Sequence, residues 1–308
     1  MRSLAVIAHT GKTLGGGLEE LRAVLARYGV TDPLWLEVDK SRKAPKAVRK
    51  ALAAGADHIL VWGGDGTCQR CVDVLAGHDA TMAILPAGTA NLLATNLDIP
   101  ADLEQAVEIA LHGAHRRIDV ARLDGEGFAV MAGAGFDAQM IADADGRLKD
   151  RLGRAAYVVT GARNLRIRPF EAKVVVDGER FYEGPATCIL IGNVGKLFAG
   201  VAAFEDAEPD DGLLEVGVVT ADGAVQWLRT LARAALGDAS KSPFAHATKG
   251  RDIRLKFDRK VRYELDGGDR EKVRKLRIEV VPAALTLCVP PVPAPANVLA
   301  GSRADAAG

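Results

Sequence analysis

The sequence predicts an α/β N-terminal domain with a parallel sheet, followed by a β-rich, sandwich-like C-terminal domain. Short apolar runs alternate with amphipathic segments through residues 1–123, the order that builds a parallel sheet covered by helices. Beyond residue 123 the runs are mostly β-rich, and only two helical segments interrupt them. Residues 171–176 and 275–280 alternate apolar with charged side chains, the pattern of strands with one wet face. The 308 residues suit two domains of about 150 residues each. The expected division is 1–123, 124–290, and a Pro/Ala-rich tail at 291–308 that frays.

In order, strands are expected at 4–8, 34–38, 58–62 and 82–85. Helices are expected at 18–28, 45–54, 68–75, 90–96 and 103–111. Leu18, Leu21 and Leu25 share one helical face, and Pro45 sits in the first turn, where proline is tolerated. After the run at 117–123 come strands at 128–132, 172–177, 188–193, 213–219, 253–257, 275–281 and 285–289. The two helices among them are placed near 148–165 and 225–236.

Composition narrows the function classes. Lys plus Arg and Asp plus Glu both number 40, so the chain lacks the excess basic charge of a duplex-binding protein, and no nucleic-acid partner is expected. Four cysteines in a chain this long make no disulfide framework. The apolar run at 4–8 is too short for a signal sequence, and no run approaches the ~20 residues of a membrane span. The expectation is a soluble, cytoplasmic protein with at most peripheral bilayer contact; a homodimer is left open.

Two turns stand out. Gly63-Gly64-Asp65-Gly66-Thr67 follows an apolar strand and opens into a helix, where open α/β sheets bind ligands. Its glycines let the backbone approach a phosphate. Asp65 would repel phosphate unless it holds Mg²⁺, orders a water or hydrogen-bonds a neighbouring loop. Read alone, the turn is also compatible with a strand-to-helix bend capped by Asp65 or Thr67. Pro86-Ala87-Gly88-Thr89-Ala90-Asn91 occupies the same position one β–α unit later, so the two tips would lie side by side.

These segments, with Leu97-Asp98-Ile99-Pro100, Gly135-Phe136-Asp137-Ala138, Ile191-Gly192-Asn193 and Asp210-Asp211-Gly212-Leu213-Leu214, resemble the diacylglycerol kinase catalytic family. That family includes soluble bacterial lipid kinases and sphingosine kinases, and it shares the first turn with NAD kinases. The resemblance runs from Leu4 to about Pro290. It implies ATP as phosphate donor, Mg²⁺, and a lipid alcohol at a membrane surface as acceptor. It also implies nucleotide contacts from Gly63, Gly64, Asp65, Gly66, Thr67, Cys68, Gln69 and Arg70, joined by Gly88, Thr89 and Asn91. A structural Mg²⁺ is implied on the Asp211 carboxylate and the carbonyls of Glu208 and Leu213, an oxygen set suited to a hard cation. Without the resemblance, that segment reads equally as a turn between strands.

Three departures from the family pattern bear on mechanism. Strand one runs into His9-Thr10-Gly11-Lys12-Thr13 rather than Asn-Pro. This is no Walker A motif, because Val6 stands where that motif needs glycine, but a nucleotide contact at Thr10 is expected. Arg70 stands where the family often has Glu. Gly268 replaces the Glu of the family's Asp-Gly-Glu base motif, in Leu265-Asp266-Gly267-Gly268-Asp269. Asp269 is the favoured substitute base, Asp266 the second candidate, and Asp65 the third carboxylate of the catalytic set. The rival readings are an NAD or small-alcohol kinase of the same fold, and a catalytically weak ATP-binding protein.

Weaker signals receive structural readings. Cys68 and Cys71 are expected to pack under the sheet rather than bind zinc. Gly133-x-Gly135-x-x-Ala138 lacks a βαβ context and reads as a bend. The basic cluster Arg147, Lys149, Arg151, Arg154, Arg163, Arg166 and Arg168 reads mainly as a solvated helix face, with attraction to an anionic bilayer as the alternative.

Overall fold

Unbroken apolar runs make the first layer. The computed structural model describes residues 3–12, 14–135, 169–196, 202–235 and 242–291. Strands β1 (Leu4–His9), β2 (Leu34–Val38), β3 (His58–Gly63) and β4 (Thr81–Pro86) pair in parallel in the order β2-β1-β3-β4. Every residue of β3 and β4 is buried, as expected for parallel strands covered on both faces. Helices α1 (Gly17–Arg27), α2 (Ala44–Ala53), α3 (Asp65–Leu75), α4 (Leu92–Asn96) and α5 (Leu103–His112) accompany them. Leu21, Val24 and Leu25 of α1 and Ala44, Val48 and Ala51 of α2 face the core. Asp102 caps α5, its Oδ1 accepting the Gln105 N–H at 2.9 Å.

The C-terminal half is a sandwich. Its strands are β5 (Ala114–Leu123), β6 (Glu126–Phe128), β7 (Met131–Ala134), β8 (Phe170–Val176), β9 (Glu179–Ala186), β10 (Cys188–Gly192) and β11 (Leu214–Val219). Helix α6 (Gly223–Ala235) precedes β12 (Ala245–Gly250), β13 (Asp252–Val261), β14 (Tyr263–Leu265), β15 (Gly268–Asp269) and β16 (Val273–Val289). One sheet runs β12-β11-β10-β7-β14-β15. The other continues the N-terminal sheet as β4-β16-β13-β8-β9, with β5 beside β16 and β6 beside β5. Ile189, Ile191, Val216 and Val218 from the first meet Val174, Ile253, Leu255 and Ile278 from the second in one apolar cluster.

The elements depart from the expected list at β16, at the edge strands β9 and β12, at the unforeseen hairpin β14–β15, and at 128–132, where β6 and β7 replace one strand. The strands foreseen at 275–281 and 285–289 are one strand, β16, whose register shifts between Val281 and Leu285. Its end pairs in parallel with β4, Thr286 opposite Thr81, so residues near the C-terminus complete the N-terminal sheet. Strands β9 and β12 were not foreseen because they are sheet-edge strands with mostly uncovered side chains, carrying no apolar run to read. Cys68 and Cys71 are buried, as expected. Gly133 lies in β7, and Gly135 bends the chain at φ +86° against the Phe170 ring. Phe136, Asp137, Ala138, the helix near 148–165 with its basic cluster, and the tail lie outside the described residues.

Candidate active site

The first wall of the site grows from two turns that touch. Gly64 follows β3 and caps α3, its carbonyl accepting the N–H groups of Thr67 (2.9 Å) and Cys68 (3.0 Å). The Ala87 N–H donates to the Gly63 carbonyl at 2.9 Å, which ties the second turn to the first. A Cβ on Gly88 would lie 2.6 Å from Gly64 Cα, so only glycine permits this approach. Asn91, at φ +48°, closes the second turn on itself: Oδ1 accepts from Gly88 N (2.8 Å) and Nδ2 donates to Gly88 O (2.9 Å).

Asp65 resolves the puzzle of an acid among phosphate contacts. Its carboxylate accepts the N–H groups of Asn91 (3.0 Å) and Leu92 (2.5 Å), fastening one turn to the start of α4. Burial raises its pKa, opposed by those two N–H groups. It thus hydrogen-bonds the neighbouring loop, the third of the options open from sequence, while also lining the cleft.

The facing wall is the β14–β15 hairpin. Asp266 and Gly267 sit at φ +45° and +77°, the left-handed pair that a tight two-residue hairpin needs. The Asp266 carboxylate is buried and accepts three backbone N–H groups, from Ala129 (3.3 Å), Val130 (3.1 Å) and Met131 (2.8 Å). Burial pushes its pKa up to about 7 against those hydrogen bonds, and the charge of Asp65 adds to the rise. Asp269 is exposed on the rim, 3.5 Å from Arg262 Nη1.

Between the walls lies a cleft of about 520 Å³. Gly64 to Thr67 and Gly88 to Ala90 line one side, Asp266 to Asp269 the other, with Lys12, Ser41 and Leu92 completing it. The size suits a small-molecule site.

Several expected contacts point elsewhere. Thr10 is turned to β2, its N–H donating to Val38 O at 2.9 Å, and it does not line the cleft. Cys68 is buried, which pushes its thiol pKa well up, and its N–H is spent on Gly64. Gln69 donates to Gly127 O (2.7 Å), and Arg70 pairs with Glu126 (2.8 Å). Gly63 and Asn91 shape the turns from beneath. Lys12 and Ser41 were missed as cleft residues. Trp62 Nε1 donates to Lys12 O at 3.3 Å, and Ser41 Oγ lies 2.9 Å from Thr67 Oγ1. Lys12 lies in the turn after β1 and Ser41 opens a single 3-10 turn at Ser41–Lys43, so only proximity in space brings them to the cleft.

The expected cation segment is arranged differently. Arg116 takes the carboxylates of Asp210 (2.7 Å) and Glu208 (3.2 Å). Asp211 Oδ1 accepts the Leu213 N–H (2.8 Å), and its Oδ2 lies 3.7 Å from Lys249 Nζ, which also pairs with Glu215 (2.7 Å). An ammonium at that distance repels a dication from the same oxygen. Among the described residues no cluster of three or more His, Cys, Asp or Glu side chains could hold a metal. The contacts of this loop engage side chains: they leave aside the Glu208 and Leu213 carbonyls of the expected cation set, and they place Lys249 beside its one carboxylate, Asp211.

Comparison with known proteins agrees with this layout. The family model for the diacylglycerol kinase catalytic domain matches residues 6–123, and that for the YegS C-terminal NAD kinase beta sandwich-like domain matches residues 130–289. A protein of Enterobacter sp. (strain 638) named "Probable lipid kinase YegS-like" is 30% identical over 255 residues, covering 80% of this chain and 83% of that protein. The "Diacylglycerol kinase" of Bacillus subtilis (strain 168) is 29% identical over 232 residues, covering 73% and 75%. The fold matches the crystal structure of a diacylglycerol kinase from Bacillus anthracis str. Sterne with a TM-score of 0.75 at 23% identity, covering 94% and 97%. An NAD kinase from Archaeoglobus fulgidus, solved with ATP, matches at 0.51 and 11%, covering 92% and 93%.

Proposed function

Because this chain belongs to the diacylglycerol kinase catalytic-domain family, with a YegS-type C-terminal domain, we propose that it is an ATP-dependent lipid kinase that phosphorylates a lipid hydroxyl, diacylglycerol or a related lipid alcohol. The observation that carries the reading is the pair of fused glycine turns at Gly64 and Gly88, facing Asp266 and Asp269 across one cleft.

Phosphoryl transfer asks chiefly for positioning and electrostatics. The turns bring backbone close to the phosphates, Lys12 adds a cation, and the hydroxyls of Thr67 and Thr89 line the same side. ATP would enter as its magnesium complex, and the metal would supply neutralisation of the phosphate charge during transfer. The acceptor oxygen attacks the γ-phosphorus from the hairpin side while the bond to the β-phosphate bridging oxygen breaks. The hydroxyl proton passes to Asp269, and ADP leaves. Asp266 anchors the hairpin through its three N–H partners, so that Asp269 stands at the rim. No helix among the described residues is long and apolar enough to cross a membrane, so the lipid would be met at a surface.

The test is transfer of labelled phosphate from ATP across a panel of lipid alcohols with NAD included. Wild type should label a lipid and leave NAD untouched. Asp65→Ala, which frees the second turn, should lower activity more than tenfold, and Asp269→Ala should lower kcat by roughly a hundredfold. Full activity in Asp269→Ala removes it as the base; labelling of NAD alone overturns the lipid reading.

A further inference from the structure

Arg70 and Gly268, two positions where the sequence leaves the family pattern, lie at opposite ends of one polar strut. Its hub is Glu126, the first residue of β6. Oε1 of Glu126 accepts from Arg70 Nη1 at 2.8 Å and from Arg270 Nη2 at 2.6 Å, while Oε2 accepts from Arg270 Nε at 3.1 Å. Gln69 Nε2 adds a longer contact at 3.3 Å. Arg270 is therefore gripped through two nitrogens, the fork geometry that fixes orientation as well as distance.

The far side of Arg270 grips the hairpin. Its Nη1 donates to the carbonyls of Gly268 (3.0 Å) and Asp269 (3.1 Å). A Cβ on residue 268 would lie 2.8 Å from that same Nη1, so the guanidinium occupies the space a side chain there would take. On the helix side, Asp73 Oδ1 accepts the Gly127 N–H at 2.7 Å, so β6 rides on α3 at a second point. The chain of contacts runs from α3, whose first residues are the phosphate turn, through Glu126 and Arg270 to the residues on either side of the Gly268–Asp269 peptide.

We propose that Glu126 is a positioning residue for phosphoryl transfer, acting through Arg270 to fix the hairpin that carries Asp269 relative to the phosphate turn at the start of α3. The role rests on the lipid-kinase reading for its consequence in catalysis, but the mechanical link does not. Asp269 has an exposed side chain on a two-residue strand, and its backbone pairing is to Glu264 alone. With only that pairing and the long 3.5 Å contact to Arg262, its carboxylate would sample a range of distances from the transferred phosphorus. The strut supplies a further hold from the very helix that carries the phosphate turn, so both reacting partners share one frame. Burial acts to raise the Glu126 carboxyl pKa, yet Arg270 and Arg70 together keep it below its ordinary value, so the hub stays charged at neutral pH.

The experiment uses the full chain with Glu126→Gln, Arg270→Lys and the double variant, read by steady-state kinetics and by amide hydrogen exchange. For Glu126→Gln the expected result is kcat lower by roughly ten- to a hundredfold with KM for ATP little changed, the mark of lost alignment rather than lost binding. Arg270→Lys keeps the charge but not the fork and should not restore activity. The double variant should be no worse than the poorer single, because both cut one strut. Amides of residues 263–270 should exchange faster in each variant, while those of β1 and β3 keep their protection.

An unchanged kcat with a lower melting temperature overturns the proposal in favour of a purely structural pair. A raised KM for ATP at constant kcat also overturns it, because Arg70 would then be acting on the nucleotide directly. If wild type labels no lipid, the lipid-kinase reading fails separately. The exchange rates of the hairpin still decide whether the strut exists.

Discussion

Asp266 shows how one residue's environment sets a measurable dependence on pH. It has the burial of a core side chain and the charge of a surface one, and three backbone N–H groups only partly offset its desolvation. With its folded pKa raised from 3.8 to about 7, the native state holds a proton that the unfolded chain has released between those values. Stability from this group is therefore fully present below about pH 4 and is lost as pH rises through 7. Asp266→Asn removes the titration. Denaturant unfolding from pH 4 to 8 should show wild type losing stability relative to the variant, by on the order of a few kcal/mol across the window. Parallel profiles would mean that the carboxylate is ionised throughout. The sequence named Asp266 through its place in a motif, but it held no sign of the burial, because Ala129 to Met131 come from a segment more than a hundred positions away.

Among elements, β16 was foreseen only as two separate halves and is the most informative. Its two halves read as separate strands because Pro282 and Ala283 interrupt the alternation, and Ala283 takes the left-handed conformation at φ +48° with no glycine or asparagine to announce it. The missing partner is Asp119 on β5. Its Oδ1 accepts the Ala283 N–H and its Oδ2 the Gly212 N–H, each at 2.7 Å, while its own N–H donates to Pro209 O at 2.6 Å. One buried carboxylate thus supports both the bulge in β16 and the turn before β11. Local sequence could locate the glycine turns and the apolar strands, whose physics is short-range. It could not locate a bulge satisfied by a side chain 164 residues distant. Asp119→Ala leaves two backbone donors without that acceptor and should cost about 2–5 kcal/mol, read as a fall in the thermal midpoint. A loss below about 0.5 kcal/mol would show that water or a shifted loop satisfies both donors equally well.

At the scale of the whole molecule, the sequence shows two domains while the hydrogen bonding shows one continuous sheet. Parallel pairing within the first half ends with β4 at Pro86, and β5, which runs to Leu123, is already antiparallel to β16. Yet β4 is covered on its outer side by the end of β16, and β5 pairs along most of that strand's length, from Leu123 opposite Ile278 to Ala114 opposite Val289. Residues 1–123 alone would therefore expose the edge of β4 and leave β5 without its main partner. An open, apolar edge next to an unpaired strand is a template for association with other chains. Leu285, Leu287 and Cys288, all buried in the N-terminal core, would also be absent from a fragment cut at residue 123. The fragment 1–123 is thus expected to aggregate or to melt without a cooperative transition. Co-expression with residues 124–291 should restore a soluble complex, since the missing strand then binds the folded state and draws the equilibrium toward it. Sedimentation and calorimetry on the fragment decide the matter. A monomer that unfolds in one sharp transition would show that the N-terminal half is a self-sufficient domain. Failure to fold alone would mean that closure of the cleft and completion of the first sheet are a single folding event, with β16 joining the wall of the two glycine turns to the sandwich that carries Asp269.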